Sequence, residues 1–259
     1  MKILLTNDDG IDSLGIITLK AALSGIGDVT VVAPLFEQSA AGHGITIKRA
    51  LRIVKYYKDD QFFGFAVDGT PADCVKLGIN TIMRTPPDLV VSGINHGSNT
   101  ATNIIYSGTV SAAREAAILG HHGIAFSINS REAANIDTLA PICAKITKKF
   151  YETGIRDGLT INVNFPDIPA SKIKGILLTR QGNSRFEDEY ELRFDHIGRE
   201  SHQLTGILAD LDAHDAKTDH YALMNNYISV TPIKLDLTDY DYLHELEKNN
   251  LGEIISQSN

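Results

Sequence analysis

Two adjacent carboxylates, Asp8 and Asp9, stand where an apolar run ends, in the opening MKILLTNDDG. At the mouth of a packed sheet such like charges repel unless a cation or a proton joins them. Three other stretches offer oxygen donors. APLFEQSAAGHG (33–44) carries Ser39 and His43, with Gly42 and Gly44 leaving room for close backbone approach. SGINHGSN (92–99) offers Asn95 and Asn99 around Gly97, and YSGTVSAAREA (106–116) puts Ser107, Gly108 and Thr109 at the start of a helical pattern. Carboxylates, a hydroxyl and a carboxamide, with no thiolate and no necessary imidazole, form the donor set that hard divalent cations prefer. A dication between Asp8 and Asp9 turns their repulsion into attraction, with Ser39 and Asn95 as further ligands. The free N–H groups, dipole end and hydroxyls at Ser107–Thr109 suit a phosphate group, and Asn95, Gly97 and Asn99 border the same place.

Together these residues describe a metal-assisted phosphate site, with Asp8 and Asp9 as its catalytic pair and His43 as a candidate substrate contact. Each has a structural meaning too. An acidic pair or a Ser-Gly pair caps helices, and Asn between glycines makes turns. The case rests on all four stretches falling at one edge of one sheet.

That edge follows from the elements. KILLTN (2–7), DVTVVAP (28–34), GFAVDG (64–69), PDLVVSGIN (87–95), GIAFSIN (123–129) and LTINVNFP (159–166) read as strands. Between them, 14–26, 71–83, 107–120 and 135–154 read as helices. The strands are almost continuously apolar, as strands covered on both faces are, so an α/β fold with a doubly wound, mainly parallel sheet is expected. In such sheets ligands bind outside the carboxyl ends of the strands, where the four stretches lie. The core is expected to span 1–180. Beyond it, 181–259 is expected to be an extension for oligomer contacts: charged and aromatic hairpin arms at 181–200, a core strand within 226–239 and a helix at 242–250.

With 259 residues, 43% of them hydrophobic, the chain can bury a real core. A net charge of −8 argues against binding the backbone of a nucleic-acid duplex. Cys74 and Cys143 lie far apart in apolar helical contexts and read as buried thiols, which fits a reducing compartment. No apolar run is long enough to span a membrane. A cytoplasmic location, with no membrane partner, is therefore expected.

The motifs LLTNDDG (4–10), APLFEQSAAGHGIT (33–46), DGTPADCV (68–75), PDLVVSGINHGSN (87–99) and YSGTVSAAREA (106–116), followed by INVNFP, TRQG and YISVTPIKLDLT, make the chain similar to the SurE family, the survival-protein-E nucleotidases. The resemblance runs nearly end to end. It implies a Rossmann-like core and a 5′/3′-nucleotidase that needs one divalent cation per subunit, Mg²⁺, Mn²⁺ or Co²⁺. It also implies nucleoside monophosphates as substrates, short polyphosphate as a further one to test, and homodimers or homotetramers built by C-terminal arms. Carried over by motif, the metal ligands fall on Asp8, Asp9, Ser39 and Asn95 and the phosphate segment on Ser107, Gly108 and Thr109. Ala40 and Ser111 stand where the family usually has glycine, and Arg114 where it usually has an apolar residue.

Two other readings fit less well. A phosphatase with a covalent aspartate needs Asp-x-Asp, which Asp8-Asp9-Gly10-Ile11-Asp12 does not supply. A Mg²⁺-binding receiver-type signalling module, with no hydrolase activity, also has an acidic pair after its first strand. Here, however, Ser92 occupies the position of the phosphoryl-accepting aspartate, and the chain is far longer than such a module.

Overall fold

The computed structural model describes residues 1–130, 132 and 134–249. Five parallel neighbours make the middle of its sheet: β2 (Asp28–Pro34), β1 (Lys2–Thr6), β5 (Leu89–His96), β6 (Gly123–Asn129) and β7 (Leu159–Pro166). These are the Val, Ile and Leu runs of the sequence, and they are central because both of their faces are covered. One face packs Leu5, Val91, Phe126 and Val163 against Ile16 and Leu19 of α1 (Leu14–Leu23) and Leu139 and Cys143 of α5 (Ile136–Thr153). The other packs Leu4, Val32 and Val90 against Cys74 and Val75 of α2 (Pro71–Leu77) and Ala112 and Ala116 of α4 (Gly108–Ile118). The sheet is doubly wound, as expected. Burying a leucine side chain contributes about 2 kcal/mol, so fully buried Leu4 and Leu5 hold the end of β1 firmly in place. Cys74 and Cys143 are free, buried and on opposite faces.

Caps set where the helices begin. Ser13 accepts from the Ile16 N–H to start α1, Thr70 and Asp73 form a reciprocal capping box before α2, and Ser107 accepts from the Val110 N–H to start α4. The α-helix expected over 71–83 stops at Leu77 and continues as a wider π-type turn, Gly78–Ile82. A Cβ at Gly78 would lie 2.7 Å from the Leu4 side chain, so the turn sits directly on β1.

The margins are antiparallel. β3 (Ile53–Lys58) pairs with β4 (Gln61–Val67), which lies parallel to β2. β3 is not evident in the sequence, because its exposed lysines interrupt any apolar run. At the other margin β11 (Ile228–Lys234) runs antiparallel to β7 and parallel to the short β8 (Ile176–Leu178). Between β8 and β11 the chain makes a separate hairpin, β9 (Arg185–Phe194) with β10 (Glu200–Ala209), followed by α6 (Asp219–Met224). A one-turn helix, α3 (Asn103–Tyr106), precedes α4. The terminal helix, α7, covers Tyr240–Lys248; Asn250, the last residue expected in it, and the rest of the C-terminal segment lie outside the described residues. No described helix is long and apolar enough to cross a membrane.

Candidate active site

Beyond β1 the chain turns sharply. The Asn7 amide donates to the Gly10 carbonyl and the Ser13 hydroxyl, both at 2.8 Å, and Gly10 takes a φ of +100° that favours glycine. Asp8 is thereby fixed in the interior, 4% exposed. The Thr109 hydroxyl donates to Asp8 Oδ1. Gly108 lies flat against the same side chain, since a Cβ there would come within 2.8 Å of Asp8 Cβ and 2.9 Å of Oδ2. The acidic turn and the N-terminus of α4 are thus joined through a carboxylate.

Burial pushes the Asp8 carboxyl up to about 6; the Thr109 hydroxyl opposes this and the Asp9 charge adds to it. Asp9 is also pushed up to about 6, first by burial, against a hydrogen bond from the His96 backbone and with help from Glu37. Asp9 Oδ2 is buried without a hydrogen-bond partner. A buried, unpaired carboxylate oxygen beside a second buried carboxylate is the chemistry that a bound cation relieves, so these residues fit a divalent metal. No group of three or more His, Cys, Asp or Glu among the described residues could hold a metal ion, so a cation here would take a mixed oxygen set.

The other two expected ligands come from loops tied to Asp8. The Gln38 N–H donates to the Asp8 carbonyl at 2.7 Å, bringing Ser39 alongside, and the Ser39 hydroxyl donates to Glu37 Oε1 at 2.6 Å. Asn95 commits its amide nitrogen to the Gly97 carbonyl at 2.7 Å, which leaves its oxygen as the donor for a cation. Asp8, Ser39, Asn95, Gly97, Asn99 and Ser107 line one open cavity of about 510 Å³, a size that admits a small organic ligand.

Four expected site residues are not part of that lining: Asp9, whose Oδ2 is buried, and Thr109, Gly108 and His43. Thr109 is fully buried with its hydroxyl on Asp8, so it supports the carboxylate, and Gly108 provides the close approach just described. His43 does not line the cavity. Its Nε2 is 2.7 Å from Glu115 Oε2, and Lys76 Nζ is 2.6 Å from Glu115 Oε1. Burial works against the Glu115 charge, but the hydrogen bonds from His43 and Lys76 outweigh it and hold the carboxyl below its usual range. This clasp ties the loop bearing Ser39 to both α4 and α2.

Asn99 works as a frame. Its N–H donates to Asn164 Oδ1 and its amide to the Ser127 hydroxyl, both at 2.8 Å, while its carbonyl accepts from Asn162 and Asn164 at 2.7 and 3.1 Å. The alternating asparagines of β7 thus lock the 95–99 loop to the sheet. Sequence reasoning missed them, although INVNFP places two amides on one face of a buried strand. Glu115 was missed too, although a carboxylate in the apolar stretch AAREAA signals a buried pair. Phe186 and Leu208, from the hairpin, also line the cavity, and nothing local in the sequence signals that. Ser92 is fully buried within β5, a poor place for a phosphoryl acceptor.

Comparison with known proteins bears on the whole chain. A family model described as "Survival protein SurE" matches residues 3–188. A protein named 5′-nucleotidase SurE from Chlorobium phaeobacteroides is 46% identical over 249 residues, covering 96% of each chain. Another of that name, from Syntrophobacter fumaroxidans, is 46% identical over 251 residues, covering 97% of this chain and 100% of its own. Among solved structures, the crystal structure of SurE protein from Aquifex aeolicus superposes with a TM-score of 0.82 at 40% identity, covering 96% of this chain and 99% of the other.

Proposed function

The chain belongs to the SurE family, and from that premise we propose that it is a metal-dependent phosphatase hydrolysing nucleoside 5′-monophosphates, and 3′-monophosphates as well, to nucleoside and phosphate. The observation that carries this reading is the contact of buried Asp8 with Gly108 and Thr109, which joins an acidic pair to a helix N-terminus at the carboxyl edge of the sheet. The acidic pair alone would repel a phosphate ester: two like charges 4 Å apart cost about 4 kcal/mol at the effective dielectric of a protein surface. One divalent cation per subunit, Mg²⁺, Mn²⁺ or Co²⁺, would reverse that sign, polarise a phosphoryl oxygen and lower the pKa of a bound water.

Asp8, Asp9, Ser39 and Asn95 would hold the cation. Ser107 and the free N–H groups opening α4 would take the remaining phosphoryl oxygens, beside Asn95, Gly97 and Asn99, and their dipoles stabilise the charge that builds up there. Gly108 and Thr109 hold Asp8 at that helix end, and one of the two aspartates accepts the proton of the attacking water. Asn99, locked to β7, prevents the loop from drifting, which matters because an ångström of misplacement can cost about a hundredfold in rate.

The name 5′-nucleotidase carried by the relatives supports the substrate class. Short polyphosphate is a further substrate to test. The two buried thiols support a cytoplasmic location, and the apolar face of the hairpin supports assembly into a homodimer or homotetramer. The deciding experiment measures phosphate release from a panel of 5′- and 3′-nucleoside monophosphates, with chelator and then with Mg²⁺, Mn²⁺ or Co²⁺ restored. Loss with chelator and recovery with metal is expected; release that ignores the chelator would remove the metal from the mechanism.

A further inference from the structure

Two apolar side chains of the catalytic cavity come from neither the sheet nor its loops. Phe186 and Leu208 lie at the base of the hairpin, directly opposite each other in its register, so their side chains leave the same face. Phe186 is 47% exposed, without a core of its own to fill. A large ring left half in water at the rim of a cavity marks a surface that a ligand can cover.

Apart from Ala40 and the exposed ring of Tyr106, the rest of that wall is polar or glycine. Asp8, Ser39, Asn95 and Ser107 form the end suited to a cation and a phosphate, whereas Phe186 and Leu208 bring hydrocarbon from a region more than eighty positions beyond Asn95. A nucleotide has the same division, a charged phosphate at one end and a flat ring at the other. On the nucleotidase reading, we infer that Phe186 and Leu208 form the wall against which the nucleobase packs.

The hairpin root is held firmly enough for this role. Asp219 Oδ1 accepts from the Gly182 N–H at 2.9 Å and its Oδ2 from the Ala101 N–H at 3.0 Å. Asp212 accepts from the N–H groups of Asn183 and Ser184, and the Thr102 N–H reaches the Ser184 carbonyl at 3.3 Å. Ala101 and Thr102 continue the loop that carries Asn99. The wall and the phosphate end are therefore fixed to one frame.

The test compares adenosine 5′-monophosphate with ribose 5-phosphate, which has the ester and the sugar but no base. Phe186→Ala should lower kcat/KM for the nucleotide by about tenfold, in line with removing hydrocarbon from a binding pocket, and change that for ribose 5-phosphate less than twofold. Leu208→Ala should act in the same direction with a smaller factor, and Phe186→Leu should restore part of the loss. Size-exclusion elution of each variant checks that assembly is intact. Equal losses on both substrates would make Phe186 a support of the phosphate end, and no loss on either would place the base elsewhere; both outcomes overturn the assignment. Failure of the unaltered protein to hydrolyse any nucleotide would instead bring down the nucleotidase reading, and this inference with it.

Discussion

The central strands and the hairpin treat their apolar residues in opposite ways. In β5 seven of eight residues are buried, because helices cover both faces; in β9 all ten are exposed. Yet β9 is not a polar strand. Its register with β10 puts Phe186, Tyr190, Leu192 and Phe194 on one face with Leu204 and Leu208, and Glu187, Glu189 and Glu191 on the other. A two-stranded ribbon with one apolar face needs something against that face. The core completes itself within one chain and keeps its chemistry for the strand ends, whereas the hairpin presents a surface that only a ligand at its root or a second copy along its length would cover.

Substitutions in the two regions should therefore fail in different ways. Asp8→Asn, at the core edge, should cut phosphate release by about a thousandfold, the scale of losing an electrostatic group that acts on the transition state. The melting temperature of the cation-free protein should not fall, because the change removes a carboxylate that burial disfavours. Near-normal turnover would break the contrast. On the hairpin, Tyr190→Glu with Leu192→Glu should weaken self-association by roughly 3 kcal/mol, the value of two apolar side chains returned to water. Light scattering should then report single chains, and an unchanged assembly would show that this face is not the contact.

Gly108→Ala should cost about a hundredfold in turnover by displacing Asp8, on the scale of a one-ångström misplacement. Cation binding should stabilise the fold by about 2.7 kcal/mol at a hundredfold excess over Kd. That gain depends on pH with a definite sign. Asp8 and Asp9 titrate near 6 in the folded chain and near 3.8 in the unfolded one, so ionising them destabilises the cation-free fold as pH rises between those values. Added Mn²⁺ should raise the melting temperature more at pH 7.5 than at pH 5, where protons compete for the same oxygens. A gain that is larger at pH 5 would contradict the ligand assignment.

The smallest effect concerns Ala40, which holds a φ of +56°, in the left-handed region that favours glycine. Ala40→Gly should stabilise the chain by about 1 kcal/mol by removing the left-handed penalty. Chemical denaturation measures this directly.

The parallel core was legible because burial on both faces leaves an apolar run in the sequence, and the site loops because the carboxyl-edge rule says where to look. What escaped depends on partners distant along the chain. The His43–Glu115 pair spans 72 positions, and β3 is recognised as a strand only once β4 lies beside it. His43 read as a substrate contact because its loop was visible and its partner was not. The hairpin showed in the charged and aromatic texture of 181–200, but its reach into the cavity is a matter of tertiary placement.

The chain leaves the sheet region at Arg180 and returns at Thr218, and these two residues bridge to each other side by side. The segment between them, hairpin included, is a detour whose ends already touch. Insertions or deletions there need not strain the strands on either side, so the arm is free to change length among relatives while the catalytic edge keeps its spacing. A related protein with a shortened arm would retain the phosphate end and lose the hydrocarbon wall, separating by natural variation two features that this molecule has combined.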